Sequence, residues 1–87
     1  MDTKSSKRPY FLWDYDLTDQ QVREILAGDN KTERRWMMAR ILTNARYEDV
    51  WSYIRLSDLA REFPYLRMRR EVKEAWSHAL TVWGYHV

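Results

Sequence analysis

The sequence predicts an all-α fold: a compact bundle of about five helices, preceded by an extended aromatic N-terminal arm. Apolar residues recur at helical spacing in several separate runs. The strongest run is Val72, Ala75, Trp76, Ala79, Leu80 and Trp83, which follows i, i+3, i+4, i+7, i+8, i+11. The punctuation agrees, because both glycines (Gly28, Gly84) fall just past expected helix ends and both prolines (Pro9, Pro64) lie outside helix interiors. Only residues 10–15 suggest extended backbone, and they have no obvious strand partner.

Each element follows from local signals. Residues 1–9 are polar and Ser/Lys-rich and read as a disordered basic tail, leaving residues 10–87 as a single helical domain. Thr18 with Gln21 forms the pattern of a capping box, so the first helix is expected at 19–27, with Val22, Ile25 and Leu26 on one face. Gly28 would end it in the left-handed conformation. Asn30 with Glu33 is a second such start, for a helix over 31–45. Its apolar residues Trp36, Met37, Met38, Ala39, Ile41, Leu42 and Ala45 cover most of its circumference, which marks it as the central helix. A short helix at 47–54 offers Val50, Trp51 and Ile54. Ser57 would cap a helix at 58–63 that Pro64 stops, and the last helix is expected over 70–83.

With 87 residues there is room for one domain, and there is no cysteine to staple it. The compensation is aromatic: five Trp, six Tyr and two Phe. Trp36, Trp51, Trp76 and Trp83 lie at core spacing on helices. If all four are buried, they remove enough area to contribute on the order of 20 kcal/mol gross. The absence of cysteine, of a long apolar run and of an apolar leader points to the cytoplasm, with no membrane association.

The formal charge of +2 resides in the tail, where Lys4, Lys7 and Arg8 outweigh Asp2. The remaining twelve basic and twelve acidic residues cancel, so the helical domain has no global excess to attract nucleic acid.

Three groups of residues stand out chemically. Asp14-Tyr15-Asp16-Leu17-Thr18 after Phe11-Leu12-Trp13 imitates the DxDxT motif of haloacid-dehalogenase-type phosphatases, whose aspartates act with Mg²⁺. That chemistry needs a doubly wound sheet carrying further motifs, and a helical remainder supplies none. Asp16 and Asp19 read instead as favouring the positive N-terminus of the first helix. His78 and His86 have no nucleophile nearby, and no Gly-rich phosphate loop occurs. No catalytic residue, metal ligand or cofactor is therefore expected.

The second group is basic. Arg61, Arg67, Arg69, Arg70 and Lys73 outnumber Glu62 and Glu71, and residues 57–83 can be drawn as a helix-turn-helix-like segment. Arg67, Arg69, Arg70 and Lys73 would then meet DNA, as in a transcriptional regulator. The exposed face of the last helix carries Lys73, Glu74, Ser77, His78 and Thr81, which is nearly neutral, and the expected turn is long for that motif.

The third group is the segment Tyr10, Phe11, Trp13, Asp14, Tyr15 and Asp16. Phe11 and Trp13 either fold back to close the core or stand out as a protein-binding arm, in which aromatic residues anchor and carboxylates meet basic groups.

Four sequence features also resemble a family of small prokaryotic proteins: Trp13-Asp14-Tyr15-Asp16, Ala39-Arg40-Ile41-Leu42, Glu48-Asp49-Val50-Trp51 and the final helix from Trp76 to Trp83. Members of that family are encoded beside nucleotidyltransferases of the AbiEii abortive-infection toxin type. The resemblance covers nearly the whole chain. It implies an antitoxin-like role as the small protein partner, and it assigns no functional residues. The expected function is thus a non-catalytic protein-binding module, with Asp14 and Asp16 engaging basic groups of a nucleotidyltransferase-type toxin. DNA-binding regulation is the alternative.

Overall fold

The computed structural model describes residues 8–85, in which five α-helices account for the regular structure together with two short 3-10 turns. The helices are α1 (Asp19–Ala27), α2 (Lys31–Asn44), α3 (Tyr47–Val50), α4 (Leu56–Glu62) and α5 (Arg70–Val82). The 3-10 turns are Tyr10–Leu12, before α1, and Phe63–Tyr65, directly after α4. Among the described residues there is no strand, and no helix is long and apolar enough to cross a membrane. Of the expected basic tail, residues 1–7 lie outside the described residues, as does His86.

The first two helices start where their caps dictate. The Thr18 hydroxyl accepts from the Gln21 N–H at 3.2 Å, and the Gln21 side chain accepts from the Thr18 N–H at 2.8 Å, which completes the capping box. The Asn30 side chain accepts from the Glu33 N–H at 3.1 Å. The end of α1 differs from expectation. Gly28 has φ −81° and ψ 175°, so it is extended and not left-handed. The chain passes straight into the Asn30 cap, and the Gly28 carbonyl accepts from Arg34 at 2.8 Å. Gly84 does adopt the positive φ expected of a helix-ending glycine, at 94°.

Three further boundaries move. The short third helix stops at Val50, and Trp51–Tyr53 continue as a turn. Ser57 does not cap α4, which starts at Leu56 after an extended Arg55. The α-helix does end ahead of Pro64, one residue earlier than expected at Glu62, and Pro64 sits inside the 3-10 turn that follows, where the ring needs no N–H partner.

Every helix and the N-terminal turn contribute to one core. Phe11, Leu12, Val22, Met37, Ile41, Val50, Leu59 and Leu80 are its fully buried side chains. Each Leu, Phe or Met buried this way is worth roughly 1.5–3 kcal/mol relative to exposure. Helix α2 is the central element as expected, burying Met37, Met38, Ala39, Ile41 and Leu42. The tryptophans are not where core spacing placed them. Trp36 and Trp83 are each 38% exposed, while Trp51 and Trp76 pack against the core from its edge. On α5 only Leu80 of the apolar stripe is fully buried. In a core this thin an indole outreaches the interior, so its far edge reaches solvent.

Candidate interaction surface

The N-terminal aromatic segment is wound, not extended. Pro9 sets φ −66° and its carbonyl accepts from the Leu12 N–H at 3.1 Å, and the Leu12 carbonyl accepts from Tyr15 N–H at 3.0 Å. A 3-10 turn has a period of three, so Tyr10 and Trp13 share its outer side while Phe11 and Leu12 turn in. Phe11 is thereby a core residue and not a partner contact: it is 1% exposed and meets the Tyr53 ring edge-on at 5.3 Å. Trp13, for which the sequence left core and exposed arm both open, is 70% exposed.

The segment is held at both ends. The Tyr10 hydroxyl donates to the Asp49 carboxylate at 2.6 Å and accepts from the Arg46 N–H at 2.6 Å. Desolvation pushes this hydroxyl above its usual pKa, the Asp49 carboxylate adds to the rise, and the Arg46 N–H opposes it. Farther along, Arg40 of α2 organises the exposed residues. Its Nε donates to the Phe11 carbonyl at 3.1 Å, and its Nη2 pairs with Asp14. Its guanidinium also lies 4.7 Å from the Trp13 ring centre and 5.4 Å from that of Tyr15. Tyr15 in turn meets Trp36 edge-on at 5.0 Å. Trp13, Tyr15 and Trp36 thus form a continuous aromatic surface arranged around one half-buried cation.

Neither aspartate of the phosphatase-like motif stands alone. Asp14 pairs with Arg40, and Asp16 lies 3.3 Å from Arg8. Asp19 accepts from Arg23 at 3.0 Å and from the Tyr53 hydroxyl. Among the described residues no three His, Cys, Asp or Glu side chains gather as a metal site would require.

The four basic residues of the helix-turn-helix-like segment separate into different roles. Arg67 and Arg69 are exposed in the link between the second 3-10 turn and α5, and neither forms an ion pair among the described residues. Arg70 lies 3.8 Å from Glu74 on its own helix. Lys73 turns inward. Its ammonium donates to the Phe63 carbonyl at 2.9 Å and the Leu66 carbonyl at 2.6 Å, and burial pushes its pKa down. These are carbonyls at the end of the preceding helical segment, so Lys73 serves as a cap in place of a phosphate contact.

Two features were not anticipated from sequence. One is a second aromatic cluster of Tyr47, Trp51, Trp76 and Trp83. Tyr47 stacks on Trp76 at 6.0 Å, and Trp51 meets Trp76 and Trp83 edge-on at 5.9 and 5.8 Å. Helical spacing on α5 linked Trp76 with Trp83, but nothing local linked them to α3. The other is a charge cluster around buried Glu62, which accepts from Arg35 at 2.8 Å and from Arg34 at 3.5 Å. Arg35 holds the Glu62 carboxyl below its usual pKa against the opposing effect of burial, with Arg34 adding to the shift. The adjacent arginines were legible as residues, but their shared carboxylate on another helix was not.

Comparison with models of protein families, with curated proteins and with solved structures gives no match to this chain.

Proposed function

We propose that the chain is a non-catalytic protein-binding module, the small antitoxin-like partner of a nucleotidyltransferase-type toxin. One observation carries the binding part. Trp13 is 70% exposed, yet its ring is held against Arg40 beside Tyr15 and Trp36. Partially held aromatics lose little freedom on docking, and Trp, Tyr and Arg are the residues that dominate interface energies. Support for the toxin as partner comes from the sequence resemblance alone.

The contact mechanism differs from a simple meeting of carboxylates with basic groups. Asp14 already has a guanidinium partner, so its part is to position Arg40 beneath Trp13. Asp16 is the more exposed carboxylate and is the one available to exchange Arg8 for a basic group of the partner. The test is co-expression with the product of an adjacent nucleotidyltransferase gene, followed by affinity capture and calorimetry. A complex is expected, with Trp13→Ala weakening it by roughly 30-fold, as for an interface hot spot. No complex, or undiminished affinity in Trp13→Ala, would overturn this reading. The alternative of duplex-DNA regulation draws less support, because Lys73 is engaged by backbone carbonyls.

A further inference from the structure

A hollow of about 730 Å³ lies between α2 and residues 64–67, lined by Arg35, Trp36, Tyr65 and Arg67 among others. A second hollow adjoins it, sharing Trp36, Ala39 and Arg67, and extends the trough to Arg40 and Arg69. No carboxylate lines either part. The helical domain is neutral overall, so this is a local segregation of charge. The acidic residues Glu24, Asp29 and Glu33 line a different hollow, near the start of α2.

From this trough we infer a binding site for single-stranded nucleic acid, which goes beyond the protein-binding reading. Two kinds of group are needed for such a ligand, and both are present. Phosphates need cations that are not already neutralised, and Arg67 and Arg69 have no ion-pair partner among the described residues. Bases need exposed ring faces or guanidinium planes. Tyr65 is 60% exposed with Arg35 lying 4.3 Å from its ring centre, and Trp36 is 38% exposed. An acidic peptide would satisfy the arginines but not the rings. A duplex would hold its bases inside its own stack, out of reach of rings set in a concave trough.

The test uses the full chain with fluorescein-labelled oligo-dT and oligo-rU of about 12 nucleotides in roughly 50 mM salt, followed by anisotropy. Both strands are expected to bind, with log affinity falling against log salt by about 0.7 per phosphate engaged. Arg67→Glu/Arg69→Glu should reduce affinity at least ~10-fold through lost phosphate contacts and reversed charge. Tyr65→Ala should reduce it by roughly 5-fold or more through lost stacking. These side chains are exposed, and unchanged circular dichroism and melting of each variant establish that it folds. Val82→Ala, an exposed position on α5 outside the trough's lining, should leave oligonucleotide affinity unchanged. The proposal is overturned by absence of binding, by retained affinity in the Arg67/Arg69 variant, or by equal binding of a duplex of the same length. It is also overturned if poly-glutamate competes as well as the unlabelled oligonucleotide, which would identify an acidic-peptide site.

Discussion

The Trp76 indole N–H donates to the Leu42 carbonyl at 3.1 Å, so a side chain of α5 caps the C-terminal end of α2. The last carbonyls of a helix have no partner within it, and this one obtains its donor from a residue 34 positions later. Trp76→Phe keeps an aromatic ring at the edge of the core and removes the donor. A loss of about 1–3 kcal/mol is expected from the orphaned carbonyl and the smaller ring. Urea denaturation checks it: the midpoint should fall with the slope unchanged.

Glu62 gives a pH-dependent prediction. Its carboxyl is held below the ordinary value of 4.5, first by Arg35. A lowered folded-state pKa means stability that is fully present above the unfolded value. That contribution is lost as pH falls through the folded-state value. Glu62→Gln should therefore cost about 2–4 kcal/mol at neutral pH, since it leaves Arg34 and Arg35 without their anion. The difference from the parent protein should shrink steadily on acidification below pH 4.5, as denaturation curves across that range would record.

Tyr53 titrates in the opposite sense. Burial and the hydrogen bond it donates to Asp19 push its hydroxyl from 10.0 up to about 12. Its contribution to stability is present below the unfolded value near 10 and is lost as pH rises through about 12. Spectrophotometric titration of the folded chain should resolve a late phenolate component near 12, beyond the smaller rise of Tyr10, and Tyr53→Phe should abolish that component. If the late component persists in that variant, the assignment is wrong.

Lys73 and Arg70 occupy neighbouring turns of α5 but should respond differently to substitution. Lys73→Met retains the aliphatic stem and removes the donor to two carbonyls, at an expected cost of about 1–3 kcal/mol. Arg70→Ala removes an exposed guanidinium whose partner Glu74 is equally open to water, and should change stability by less than ~0.5 kcal/mol. Thermal melts of the two variants side by side test the contrast.

What could be read from the sequence was local. Thr18 with Gln21, Asn30 and Gly84 act within a few residues, and each behaves as its pattern predicts. Gly28 departs from the left-handed ending that glycine after a helix suggests: it is extended, and its carbonyl accepts from Arg34 of the next helix. The helical spacing of Trp36, Trp76 and Trp83 gave the facing of each residue but not its depth. Depth depends on what packs opposite, and the aliphatic residues occupy the centre. Residues 10–15 were ambiguous for a different reason. A short aromatic run is compatible with alternation or with a period of three, and only the Leu12 N–H bond to the Pro9 carbonyl decides between them. The exposed aromatic surface was therefore anticipated in its residues and not in its arrangement, since Arg40 joins it from another helix.

The capping role of α5 also bears on how the chain is made. Trp76 satisfies a carbonyl made 34 residues before it, and Lys73 satisfies two made 7 and 10 residues before it. A nascent chain lacking α5 exposes those carbonyls to solvent and leaves uncovered the apolar surface that Leu80 seals. Segments α1–α4 therefore gain these caps and this cover only once α5 has been made and packed.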